Sequence, residues 1–499
     1  MHRIRISIGP AAAAMLLAAG CIKVGPDFQP PPPPVAEAWV TPATDVMVRA
    51  GADPAEWWQT FGDPTLHHLV ALAYERNPSL RAAGFRVLEA RARRGIAIGS
   101  LFPQSQEASA SYQELRISEK RANSFPGIAL TTDDWRVGFD AAWELDLWGR
   151  FRRAIEAADA GLLQAEAARQ DVMVSLAAEV AANYVQLRTL EHRLSVAREN
   201  VDVQSRGYQI ADARYRGGAV TALDASQAAA LLAETKALIP ELEAVRRETL
   251  TNLSILLGMP PSDLANEVPQ SGPIPPAPAS IAVTLPADLL RQRPDVRASE
   301  QALAAQSAAI GIATSELFPH FSLVGHIGLE AEHVADLTDG GALEHFGGPS
   351  VRWAILNYGR IWNNVRVEEA RYQQALASYE GTVLGAQAEV EVALARLEGA
   401  RGRVADLDTA TAAATRAVDL ASLQYREGAV DFTRVLDSQQ ALVVVQDRLA
   451  VARGDVALGV TALYKALGGA FPAQPGAQAA ASGNAQSNAR VEPATGSAK

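Results

Sequence analysis

The segment Tyr215-Arg216-Gly217-Gly218-Ala219-Val220 returns 210 positions later as Tyr425-Arg426-Glu427-Gly428-Ala429-Val430. A Leu-Asp pair follows each, at Leu223-Asp224 and at Leu436-Asp437. Trp143 and Gly149-Arg150 return as Trp353 and Gly359-Arg360, and Leu257-Gly258 returns as Leu467-Gly468, at the same offset of 210. Nearer the start of each half, Leu101-Phe102-Pro103 reads like Leu317-Phe318-Pro319. Self-similarity at a fixed spacing marks a repeated structural unit, so the chain is one unit of about two hundred residues used twice.

The totals narrow what that unit does. A net charge of −11 argues against a nucleic-acid surface. Much alanine with 6% aromatics suits closely packed helices. Cys21 is the single cysteine, which leaves no internal disulfide or cysteine-rich metal cluster. No apolar run reaches the ~18 residues of a membrane-spanning helix. The N-terminus has the layout of a secretory signal: Arg3 and Arg5, a short apolar stretch from Ala11 to Ala19, then Leu17-Ala18-Ala19-Gly20-Cys21. That ending resembles a bacterial lipobox, with Ala18 where leucine is usual, and implies cleavage before an acylated Cys21. Pro30 to Pro34 then reads as an extended, semi-rigid spacer.

The helical pattern is too long for a globule. It predicts helices over about Pro64 to Ile98, interrupted at Asn77-Pro78, then Arg152 to Arg214, a break at Gly217-Gly218, and Ala222 to Leu257. Some sixty residues at 1.5 Å rise span about 90 Å. Val435, Leu442, Leu449, Val456 and Leu463 fall every seventh residue, with Ser438, Val445, Ala452, Gly459 and Ala466, mostly small, three later. That heptad pattern predicts helices packed side by side. A long coiled coil or a solenoid without a channel has the same periodicity.

Between the helices each half carries a strand pair. From Trp135 to Trp148 apolar and polar residues alternate, with a partner at about Gln104 to Arg116 and a loop at Ile117 to Asp134. In the second half Phe321 to Glu330 alternates, as do Val351, Trp353 and Ile355, and the intervening loop is read as holding Gly340-Gly341 and Gly347-Gly348. Such lengths suit membrane β-strands, apolar outward and polar inward. Sheet edges do not survive in lipid, and four strands are too few to close, so several chains would have to share one barrel. On alternation alone, a soluble sandwich with its apolar face as core fits equally.

These features together resemble the TolC-type outer-membrane efflux proteins, in the NodT-like lipoprotein branch. The resemblance rests on Cys21 with Val24-Gly25-Pro26-Asp27-Phe28, the duplication, Leu-Phe-Pro before each hairpin, Trp148-Gly149-Arg150 and Tyr358-Gly359-Arg360, and Tyr425 with Leu467-Gly468-Gly469. It implies an α+β fold: a duplicated unit closed as a homotrimer, with a twelve-stranded barrel in the outer membrane and a twelve-helix barrel across the periplasm. Such proteins are passive exit ducts that meet a periplasmic adaptor and an inner-membrane efflux pump and pass drugs or other small solutes outward.

Carried over residue by residue, the resemblance puts a periplasmic aperture at Asp437, with Thr433 and Arg434 a turn earlier. It implies a latch between Asp224 and Tyr425. Adaptor-docking turns fall at Arg216, Gly217 and Gly218 and at Arg426, Glu427 and Gly428.

His320, His326, His333 and His345 lie near the second hairpin, but without helical pairing or a cysteine they are read as polar lumen and loop residues rather than a metal site. No phosphate-binding loop, paired-histidine zinc helix or nucleophile elbow is present, so neither catalysis nor a cofactor is expected. The expected organisation is a signal peptide over 1–20, a lipidated linker over 21–56, repeats over 57–270 and 271–470, and a disordered tail over 471–499. A non-pore periplasmic coiled-coil scaffold or adhesin is the competing reading.

Overall fold

The computed structural model describes residues 22–32, 34–36, 39–40, 54–122, 130–278 and 292–470. Cys21, the leader over 1–20 and the tail over 471–499 lie outside the described residues. The chain divides into two compact units, one of residues 1–32, 85–166 and 298–380, the other of residues 33–84, 167–297 and 381–499. Neither unit coincides with a sequence repeat, because each takes matching segments from both.

The duplication is visible element by element. The helices are α1 (Pro64–Arg76), α2 (Pro78–Gly99), α3 (Arg150–Arg216), α4 (Ala222–Leu256), α5 (Pro294–Ser315), α6 (Arg360–Arg426) and α7 (Phe432–Ala466). The strands are β1 (Ser105–Arg116), β2 (Thr131–Leu145), β3 (His320–Ala331) and β4 (Leu343–Arg352). α3 and α6 have 67 residues each, α4 and α7 have 35 each, and α2 and α5 have 22 each. Gly218 and Gly428 hold φ of +73° and +76° in the turns that end α3 and α6. That left-handed backbone suits glycine and lets the chain reverse into the next helix.

In the first unit the four strands form one antiparallel sheet in the order β1-β2-β3-β4. β4 corrects the expected loop: it starts at Leu343, so Gly347 and Gly348 lie in the ladder opposite Gly325 and Val324. It ends at Arg352, before Trp353 and Ile355. Gly-Gly and Pro349 weaken the strand signal in the sequence, yet an edge strand tolerates both. Each Leu-Phe-Pro is tied to its hairpin in the same way. Trp143 Nε1 donates to the Leu101 carbonyl and Trp353 Nε1 to the Leu317 carbonyl, both at 3.1 Å.

The extended segment after residue 21 docks on this unit. Arg153, 2% exposed, donates to the carbonyls of Val24 (3.0 Å) and Gly25 (2.9 Å). A Cβ at Gly25 would stand 2.4 Å from the Gly311 Cα, so only glycine lets the segment lie this close to α5.

The second unit holds the larger core, where Trp57, Trp58 and Phe61 pack with α1, α3, α6 and α7. Trp57 stacks on Tyr464 at 5.1 Å. Asp63 caps α1 through the Thr65 and Leu66 amides and accepts from Tyr184 Oη at 2.8 Å. The small heptad positions of α7 serve close approach: Gly459 packs on Leu397 of α6, just as Gly454 packs on Thr189 of α3.

Candidate channel face and helix-turn end

The sheet register sorts its residues onto two faces. Trp135, Val137, Phe139 and Trp143 of β2 share one face with Leu323, Ile327 and Leu329 of β3 and with Leu343 and Val351 of β4. This apolar face is not a core: Phe139 is 44% exposed and Ile327 55%. A sandwich would have buried it. The opposite face carries Glu107, Arg136, Asp140, Glu144, His320, His326, Glu330 and Glu344.

The histidines divide accordingly. His326 bridges Asp140 (2.9 Å) and Glu344 (3.2 Å) across β2, β3 and β4, and its ring stacks on Phe346 at 5.6 Å. Gly138 and Gly328 make room for it, since a Cβ at either would press on the imidazole. His320 pairs with Glu144 at 2.9 Å and lies 3.4 Å from Glu316. His345 lies on the other face, opposite Ile327, and His333 precedes a short helical turn at Val334–Thr338. The four do not converge, and among the described residues no group of three metal-ligating side chains could hold an ion. Arg136 pairs with Glu330 at 3.0 Å on the polar face, and this cross-strand network was not foreseen from the sequence.

In the second unit, α3 meets α4, and α6 meets α7, at the two glycine turns. Arg216, Gly217, Gly218, Arg426, Glu427 and Gly428 are all exposed there, as are Thr433, Arg434 and Asp437 on the first turns of α7. Beneath them Ala211, Ala228, Ala421, Tyr425, Phe432, Val435 and Leu436 form a small core of their own.

Within the chain, the Asp224 carboxylate and the Tyr425 hydroxyl do not bond to each other. Asp224 instead accepts from the Thr221 amide (3.1 Å) and hydroxyl (3.2 Å), at the start of α4. The positive end of the helix favours a carboxylate at that place. Tyr425 is covered by the guanidinium of Arg214, 4.6 Å above its ring, and by Phe432 at 5.0 Å. The duplicated tyrosines have diverged, Tyr425 being 8% exposed and Tyr215 45%.

Leaving aside arginine Nε atoms, the buried side-chain polar atoms without a partner among the described residues are Gln204 Nε2 and Oε1, Gln227 Oε1 and Tyr425 Oη. All belong to this end of the helices. Such atoms are rare in folded proteins and each calls for a reason.

Two long helical hairpins, a four-stranded sheet with an exposed apolar face, and the duplication define the chain. The family model for "Outer membrane efflux protein" matches residues 69–259 and 285–469. The chain belongs to the outer membrane efflux protein family. It is 29% identical over 469 residues to outer membrane protein OprJ of Pseudomonas aeruginosa, covering 93% of this chain and 96% of that one. Nodulation protein T of Rhizobium leguminosarum bv. viciae is 30% identical, covering 98% and 99%. The solved outer-membrane channel OprN superposes with a TM-score of 0.82 at 34% identity, covering 89% of this chain and 99% of that one. The TolC-like resemblance and the duplicated α+β unit are thus shown, and the family's place is the outer membrane. OprJ is named as an outer membrane protein and OprN as an outer-membrane channel.

Proposed function

We propose that three copies of the chain close into an outer-membrane exit duct that passively conducts drugs or other small solutes from a periplasmic adaptor and an inner-membrane pump to the exterior. The observation that carries this is the open sheet with an exposed apolar face. Four strands cannot close alone, and unpaired edges cannot lie in lipid. Twelve strands from three chains satisfy both demands, with the apolar face toward lipid and the face of Asp140, Glu144, His326 and Glu344 lining the lumen. A periplasmic scaffold or adhesin has no use for such a face.

Cys21 carries the lipid, and Arg153 fixes the segment that follows it. The turns at Arg216, Gly217 and Gly218 and at Arg426, Glu427 and Gly428 meet the adaptor. Asp437, repeated around a three-fold axis, forms an acidic ring that attracts cations, with Thr433 and Arg434 beside it. The clamp that holds this end shut is Arg214 on Tyr425.

The test is the state of the full-length protein extracted from outer membranes. A detergent-requiring trimer whose gel mobility changes on heating is expected. A salt-extractable monomer would overturn the reading.

A further inference from the structure

The duplicated unit makes one contact inside the chain whose repeat-equivalent is missing. Trp148, just after β2, stacks on Phe318, just before β3, with ring centroids 4.7 Å apart and planes within 24°. Its Nε1 donates to the Pro319 carbonyl at 2.8 Å. This contact spans the junction between the first repeat and the second.

The repeat equivalents are known from the sequence. Tyr358 stands in Tyr358-Gly359-Arg360 as Trp148 stands in Trp148-Gly149-Arg150, and Phe102 stands in Leu101-Phe102-Pro103 as Phe318 stands in Leu317-Phe318-Pro319. Both equivalents are unpartnered: Tyr358 is 97% exposed and Phe102 62%. Tyr358 also holds φ of +52° and is the one non-glycine residue with positive φ among the described residues. That backbone is uncommon for an aromatic residue.

Phe102 and Tyr358 lie at opposite edges of the first unit. Phe102 precedes β1, and Tyr358 follows β4, and these are the two outer strands of the sheet. The helices repeat the pattern. α2 pairs with α3 through Arg94 and Asp159, Arg153 of α3 packs on Gly311 of α5, and α5 bonds α6 through Gln306 and Glu368 at 2.7 Å. That leaves α2 and α6 at the margins. Large apolar side chains are exposed on both, Phe85, Leu88 and Ile96 on α2 and Trp362 and Val367 on α6.

We infer that Tyr358 of one copy stacks on Phe102 of the next, so that the junction between copies reproduces the junction between repeats. The occupant of each edge is therefore a second copy of this chain. The sheet cannot bring its own two edges together, because four strands are too few to close. The inference deepens the duct reading and rests on it: the aromatic pair becomes the contact that sets where β4 of one copy meets β1 of its neighbour.

Cysteine pairs test it in the full-length, detergent-extracted protein. The double variant Phe102→Cys/Tyr358→Cys is oxidised beside the internal equivalent Trp148→Cys/Phe318→Cys, with each single variant measuring the background from Cys21. The edge pair is expected to give covalent dimers and trimers. The internal pair is expected to close within one chain at monomer mass. If the internal pair closes and sizing shows trimers, yet the edge pair stays at monomer mass, this contact is wrong and the duct reading stands. If the wild-type protein is not oligomeric, the duct reading itself fails. Tyr358→Trp and Tyr358→Ala give an independent readout in the heat resistance of the trimer. The tryptophan found at the equivalent position should preserve it and alanine should lower it. Equal losses in both would overturn the stacking.

Discussion

Arg214 and Tyr425 join α3 to α6 at the end where both helices turn, the guanidinium lying 4.6 Å over the phenol ring. A cation over an aromatic face contributes from about 0.5 kcal/mol when exposed to about 2 kcal/mol when desolvated. Arg214→Ala removes it without disturbing the bonds between Thr221 and Asp224. The expected result is a larger open fraction in bilayer recordings, with Arg214→Lys in between, since lysine keeps the charge but not the plane. Tyr425→Phe keeps the ring and deletes a hydroxyl without a partner, so it should leave the open fraction at or below that of wild type.

Gln204 is buried in α3 with both side-chain polar atoms unpartnered. A buried polar group left unpaired costs about 1–3 kcal/mol, and opening the helices gives it water to pair with. Gln204→Met keeps the volume and removes both unpartnered atoms. The variant should unfold at a higher temperature and conduct less often. A lower unfolding temperature would mean that Gln204 is held by a contact outside the protomer.

Asp437 is exposed and has no carboxylate counterpart in the first repeat, where Gln227 occupies the equivalent position. Asp437→Asn is nearly isosteric and removes only charge. Reversal potentials under a salt gradient should show reduced cation preference with stability unchanged. Unaltered selectivity would move the acidic ring to another position.

Arg153 holds the segment following Cys21 through two carbonyls and the Asp27 carboxylate, 3.0 Å away, while itself buried. Truncating it leaves those carbonyls unpaired, at a cost on the order of 2 kcal/mol or more. Arg153→Ala should expose residues 22–28 to added protease while acylation of Cys21, read by labelled fatty acid, continues. Protection equal to wild type would show that Gly25 against Gly311 suffices.

Asp171 gives a pH dependence. Burial, then the neighbouring carboxylate of Asp295, raises its pKa above the usual 3.8, against the pull of Arg293 and Lys465. A carboxyl with a raised folded pKa adds stability below 3.8, and that contribution is lost as pH rises through the folded value. Asp171→Asn should therefore stabilise the protein at neutral pH and lose that advantage in acid. Denaturation at the two pH values measures this.

Much of the architecture was legible because the chain states it twice. Helix ends at Gly218 and Gly428 follow from turn chemistry, and β2 follows from alternation through Trp135, Val137 and Phe139. β4 was partly lost because Gly347, Gly348 and Pro349 erase the alternation at an edge, where pairing rather than propensity sustains the strand. The site was less legible. Periodicity reports which face a residue occupies on its own element, not which distant side chain it meets. Arg214 over Tyr425, and Asp224 turned back to Thr221, are pairings of the folded chain. So is His326 between Asp140 and Glu344, where the sequence shows one more polar position on an alternating strand.

The most direct measurement is single-channel conductance of the purified full-length protein in a planar bilayer under a salt gradient, for wild type and Arg214→Ala. A trimeric duct clamped at its helix turns predicts discrete, cation-favouring steps, rare in wild type and frequent in the variant. Silence from both, with trimeric protein inserted in the bilayer, would contradict the account.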